Sequence, residues 1–262
     1  MSDGDMLIEA ADRLFGDLID DSAMRRARGG GWLGEAWDAI AGMGLPLALV
    51  EETAGGFGIA VEDALALVRL AGRHALPLPL GETMLANRAL GAAGLPLADG
   101  AAALIDGSGL TIAGGRIAGT AERVPWARDI ATLVVVADGR TFRIGAGCAV
   151  AEKGTNLAQM PRDTLSINAA CDIAGATSGL PPLLAGAAIR SIQIAGALER
   201  VLDLTVSFVS ERVQFGRSLS KFQAVQHDLA RLGGEVAAAG AAADMAVEAL
   251  AGDPARATLP IA

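Results

Sequence analysis

The spacing of apolar residues changes twice along this 262-residue chain, and no other property of the sequence restricts the fold so much. Leu7, Ala10, Ala11, Leu14 and Leu18 recur at helical spacing, Leu33, Trp37, Ile40 and Met43 continue it until Gly44, and a further helix is predicted over residues 61–71. From about residue 99 to 174 the period falls towards two. Thr111-Ile112-Ala113 and Arg116-Ile117-Ala118 flank Gly114-Gly115, and two more apolar runs flank Ala137-Asp138-Gly139-Arg140, whose Asp-Gly pair favours a tight hairpin. Helical spacing then returns in Leu184, Ser191, Ala195, Leu198, Leu202, Thr205 and Val209, and again in Phe222, Val225, Leu229, Leu232 and Val236. The expected architecture is α+β and multi-domain: an N-terminal α-helical domain over 1–98, a central antiparallel β domain over 99–175 and a C-terminal α-helical domain over 176–262.

Bulk properties exclude several functional classes. The chain is 52% hydrophobic with a mean hydropathy of +0.42, yet its longest uncharged run, 173–189, contains Pro181-Pro182 and falls short of the roughly 18 apolar residues that a membrane helix needs. Alanine raises the average, which predicts a soluble protein with closely packed helices and no membrane partner. Met1-Ser2-Asp3-Gly4-Asp5 has neither a basic flank nor an apolar stretch, so a cytoplasmic location is expected. A net charge of −9 disfavours nucleic-acid binding. Cys148 and Cys171 are read as reduced packing residues, and His74 and His227 lie too far from each other and from other ligands to predict a metal site. Gly145-Ala146-Gly147 lacks the third glycine and the helix of a dinucleotide fingerprint.

Residues 212–227 occupy the corner between the last two helical patterns and read Arg-Val-Gln-Phe-Gly-Arg-Ser-Leu-Ser-Lys-Phe-Gln-Ala-Val-Gln-His. Burial alone does not require this mixture; a ligand does. The string resembles the R-x-Q-F-G-(K/R)-x-(I/L)-x-x-(F/H)-Q signature of acyl-CoA dehydrogenases, flavoproteins that desaturate CoA thioesters. Residues 45–58, ending Val50-Glu51-Glu52-Thr53-Ala54-Gly55-Gly56-Phe57-Gly58, are similar to that family's (V/P)-E-E-x-G-G-x-G turn with one residue added. Residues 72–83 resemble its G-R-x-x-x-P-x-P-x-x-E-T crossing.

The resemblance implies a C-terminal domain of the four-helix-bundle type, FAD as cofactor, an acyl-CoA thioester as substrate and FAD-dependent α,β-desaturation in fatty acid or steroid catabolism. It also implies a homodimer, or a homo- or hetero-tetramer, in which Arg212, Gln214, Phe215 and Gln223 contact the FAD of a neighbouring subunit. Guanidinium suits the pyrophosphate because its fork donates two parallel hydrogen bonds and keeps its charge. The competing use of these residues is structural: Arg212 pairs with Glu211 or another carboxylate, and Phe215 staples the hairpin. Arg217 and Lys221 are read as solvated, and His227 as a surface or capping residue.

The catalytic base is not found within 1–262. In some members of the family it stands near the start of the first C-terminal helix, a location that falls on Gly186-Ala187; in most it lies later than Ala262 would. Glu199 and Asp203 belong to another face than Leu198 and Leu202 and are read as solvated. Residues 101–106 take the place of the T-E-P-x-x-G-S-D strand without its loop, and Val124-Pro125-Trp126-Ala127 takes that of W-I-T-N-G, with Pro125 in place of the threonine that would face the flavin. Trp126 either walls the flavin pocket or fills the core. These departures make a non-catalytic partner subunit of a heteromeric acyl-CoA dehydrogenase the alternative reading, and a flavin monooxygenase on the same fold the second. Asp253-Pro254 begins like a further helix, so the C-terminal domain is expected to be partial.

Overall fold

The computed structural model describes residues 3–28, 30–145, 147–176 and 181–252. Five helices come first: α1 (Asp3–Leu18), α2 (Asp21–Ala27), α3 (Gly34–Gly42), α4 (Val61–Arg73) and α5 (Leu80–Ala92). The short α2 has no long apolar stripe to announce it; it is set by its cap, where the Asp20 carboxylate accepts from the Ala23 amide at 2.7 Å. After α3, Gly44 takes φ +74° and turns the chain into a short 3-10 segment, Leu45–Leu47. Gly56 is required by close approach, because a Cβ there would stand 1.8 Å from the Val50 carbonyl oxygen.

Eight strands follow and form two four-stranded sheets. One has the order β1 (Ala102–Asp106), β4 (Thr132–Ala137), β5 (Arg140–Ile144), β8 (Asp172–Ala176); the other runs β2 (Thr111–Ala113), β3 (Arg116–Pro125), β7 (Arg162–Ala170), β6 (Cys148–Glu152). Both expected hairpins are present, with positive φ at Gly114 and Gly115 and at Asp138 and Gly139, as tight type I′ turns require. The pairing is antiparallel except between β1 and β4, which run parallel. The reason is topological: the chain leaves β1, makes the β2–β3 hairpin in the other sheet, and re-enters beside β1 in the same direction. Ile105, Leu133 and Phe142 from one sheet meet Ile117, Leu165 and Ile167 from the other in a common core, against which Cys148 and Cys171 pack as free thiols.

Two long helices close the fold, α6 (Pro182–Glu211, 30 residues) and α7 (Gln223–Ala251, 29 residues). They share one core with the N-terminal helices: Phe15, Ile40, Leu65 and Met84 pack with Ala188, Ile192, Ala243 and Ala246. Helices α4 and α6 touch backbone to backbone at Gly72 and Gly196, where an added Cβ would lie 2.0 Å from the Gln193 oxygen and 1.9 Å from the Arg69 oxygen, respectively. Flanking this crossing, Arg69 binds Glu199 at 2.5 Å and Asp244 at 2.7 Å, and Arg73 binds Asp203 at 2.6 Å. Glu199 and Asp203 are therefore interhelical partners and not the free solvated charges expected from their position off the Leu198 face. Among the described residues, no helix is long and apolar enough to cross a membrane. The predicted helix start at Asp253 lies outside the described residues.

Candidate functional site

The corner between α6 and α7 is a miniature hairpin, β9 (Val213–Gln214) paired with β10 (Arg217–Ser218), turned by Phe215 and Gly216 at positive φ. Arg212 leaves the helix in extended geometry and its backbone accepts from the Leu219 amide at 2.9 Å, so the backbone is tied while the side chain is left exposed. Glu211 accepts a hydrogen bond from the Ser207 hydroxyl at 2.8 Å, and among the described residues no carboxylate pairs with Arg212. Gln214 and Gln223 are exposed as well. Phe215 meets the edge of Phe222 at a centroid distance of 6.2 Å, yet remains 91% exposed. Arg217 is exposed and also lies over the Phe222 ring, its guanidinium carbon 4.1 Å from the centroid. The tip thus presents the unpaired Arg212 cation, two amides and one uncovered aromatic ring, a donor set that fits a diphosphate and a flat heterocycle.

Trp126 is 3% exposed and meets the edge of Trp32 at 6.0 Å, joining the β segment to the N-terminal helices. Its other side lines a cavity of about 570 Å³ together with Met160, Gln193 and Ile194. Nearby, Asp163 is wholly buried and accepts from the Gly154 amide at 3.0 Å and from the Arg128 amide and Nε at 3.1 and 2.9 Å, which pins the loop after Trp126 to β7.

A second cavity, about 520 Å³, opens between β1, the end of β3, α5 and the first turns of α6. Leu85, Leu104, Val124 and Ile189 make its apolar wall, and Gly186 and Ala187 stand on it without a carboxylate. Its buried polar floor is Glu82, bound by the Arg190 guanidinium, with Arg162 Nη2 at 3.8 Å. Glu82 and Arg162 have side chains only 6% and 12% exposed. Among the described residues, Glu82 Oε2 has no hydrogen-bond partner. Sequence reading did not assemble this cluster because its members come from three segments; the signal it had was Glu82 itself, the acid of the 72–83 crossing and a charge inside the otherwise apolar start of α5.

Helical segments from both ends of the chain closing over a pair of β-sheets, with a cavity at their junction and a polar tip on a long helix hairpin, define a three-part α, β, α class. A family profile described as "Acyl-CoA dehydrogenase, C-terminal domain" matches residues 182–262. Among curated proteins, the chain is 34% identical over 202 residues to acyl-CoA dehydrogenase IpdE2 of Mycobacterium tuberculosis, a match covering 75% of this chain and 59% of that protein. The chain therefore spans about three fifths of that relative's length. Among solved structures, the Tcur3481-Tcur3483 steroid ACAD variant matches with a TM-score of 0.77 at 27% identity, over 94% of this chain and 77% of that one. The ChsE4-ChsE5 complex from Mycobacterium tuberculosis shares the fold, with a TM-score of 0.75 at 20% identity over 96% and 82%. The chain belongs to the acyl-CoA dehydrogenase family, with its N-terminal helical, central β and C-terminal helical architecture.

Proposed function

We propose that this chain is a cytoplasmic subunit of an FAD-dependent dehydrogenase acting on an acyl-CoA thioester, with domains near 1–98, 99–175 and 176–262. The observation that carries the reading is the tip of the α6–α7 hairpin, where Arg212, Gln214, Phe215 and Gln223 stand exposed and, among the described residues, no carboxylate pairs with the Arg212 side chain. A cation held out by a tied backbone, away from its own core, suits a diphosphate held by another subunit. Arg212 would bind the pyrophosphate, Gln214 and Gln223 would meet polar edges of the dinucleotide, Phe215 would cover its adenine, and Trp126 would stand near the flavin end. Bound FAD supplies hydride-accepting chemistry. What this chain contributes is position: the cavity beside Gly186 and Ala187 excludes water from the acyl group by its apolar wall, and its helices fix where the thioester lies.

The test is Arg212→Met in the purified assembly. Charge-assisted hydrogen bonds contribute about 1.5–3 kcal/mol, so FAD affinity is expected to weaken about 10- to 100-fold, read as flavin lost on gel filtration. Undiminished flavin retention refutes the reading.

One observation favours a second reading, a non-catalytic partner in a heteromeric dehydrogenase. The buried carboxylate of the cavity, Glu82, is already bound by Arg190, and Gly186 and Ala187 offer no acid. The ChsE4-ChsE5 complex, which shares this fold, is an assembly of two components. Thioester-dependent bleaching of bound flavin in preparations of this chain alone supports the first reading; bleaching only after a second polypeptide is added supports the other.

A further inference from the structure

We propose that the cavity between β1, β3, α5 and α6 selects an acyl group that carries a carboxylate, with Arg162 as its anchor. The inference deepens the proposed function and rests on that reading for the thioester. Its basis is a mismatch of charge on the cavity floor. Two guanidiniums, Arg162 and Arg190, converge on the single carboxylate of Glu82, which leaves a net positive charge at a cluster where Glu82 and Arg162 are largely removed from water and Arg190 is 39% exposed.

The two arginines are not equally served. Arg190 binds Glu82 and also donates to the Gln193 amide oxygen. Among the described residues, Arg162 donates only to the Pro161 carbonyl at 2.8 Å and stands 3.8 Å from Glu82, beyond hydrogen-bond reach. Burial pushes the Arg162 guanidinium down from its ordinary range; Glu82 works against this, while Arg190 and Arg123 push in the same direction as burial. Other charged groups on the cavity lining, Asp106, Glu122 and Arg123, are exposed at the rim, and Asp106 is engaged by the Ser108 amide at 2.7 Å.

A plain alkyl chain entering this space would cover the free N–H groups of Arg162 and the partnerless Glu82 Oε2 without answering either. A carboxylate would accept two parallel hydrogen bonds from the Arg162 fork and bring the floor to neutrality. The orphan Glu82 oxygen is then met by a hydroxyl of the same ligand or by a water retained beside it. The wall of Leu85, Leu104, Val124 and Ile189 keeps the rest of the acyl group apolar. A pocket built to hydrogen-bond a polar group rejects the analogue that lacks it far more strongly than an apolar pocket rejects an extra methylene.

The experiment measures binding of three CoA thioesters of equal length to the assembled wild-type protein by calorimetry: octanoyl-CoA ending in methyl, 8-hydroxyoctanoyl-CoA, and suberyl-CoA ending in carboxylate. The expected order is carboxylate, then hydroxyl, then methyl, with suberyl-CoA at least tenfold tighter than octanoyl-CoA. Arg162→Met, checked for retained flavin and helical content, should bring that ratio to about one, and Arg162→Lys should keep part of it. Equal or tighter binding of octanoyl-CoA by the wild type overturns the inference while leaving the proposed function standing. Failure of all three thioesters to bind sinks both.

Discussion

Asp163 carries a charge in a place where water cannot help it. Burial by itself would raise its carboxyl, but hydrogen bonds from the Arg128 side chain and from the Gly154 and Arg128 amides outweigh burial and hold it below the usual carboxylate range. A depressed folded value means stability that is present above the unfolded value of about 3.9 and is lost as pH falls through the folded one. Asp163→Ala leaves Arg128 buried without its partner and should cost about 3–5 kcal/mol at pH 7. Urea unfolding at pH 7 and at pH 3 is expected to show this deficit shrinking in acid. The tip was legible in the sequence because Arg212, Gln214, Phe215 and Gln223 fall within one continuous string. Glu82, Arg162 and Arg190 were not, since folding alone brings them together, and neither propensity nor spacing reports on such a meeting.

The crossing of α4 and α6 depends on two hydrogen atoms. At Gly72 and Gly196 the obstacle to a methyl group is helix backbone, which cannot step aside as a side chain could. Gly72→Ala or Gly196→Ala must push the axes apart and loosen the Arg69 and Arg73 ion pairs beside them. Overpacking of this kind costs about 1–3 kcal/mol, and a lowered Tm in thermal unfolding is the expected result for each variant. The α, β, α order was readable from the change of period, and so were both hairpins from Gly114-Gly115 and Asp138-Gly139. Periodicity assigns a residue to a face but does not say what will cover that face. Hence Glu199 and Asp203 looked solvated, a parallel β1–β4 pair was not foreseen within the antiparallel domain, and neither was the shared core of Phe15 with Ala188 and Ala243.

Beyond Gly196 the α6–α7 hairpin has little of the core beneath it. Val209 is the buried side chain of α6 in this stretch, and α7 has none before Val236. Along the same stretch Val201, Leu204, Val206 and Phe208 are 43–61% exposed. An apolar stripe of this kind marks an association surface, in keeping with the proposed dimer or tetramer. Leu204→Asp combined with Phe208→Asp should leave the globular core intact and shift light scattering towards the monomer mass; an unchanged mass would remove this stripe from the interface.

Helix α6 is one unbroken rod with Arg190 near its inner end and Arg212 at its outer one. It is clamped at Gly196, from which the tip lies about 24 Å away at 1.5 Å per residue. A tilt of about 5° at that fulcrum swings Arg212 through about 2 Å, most of the length of a hydrogen bond. The rod is thus a lever: on the proposed reading, a ligand that rocked its inner end would shift the tip offered to a neighbour.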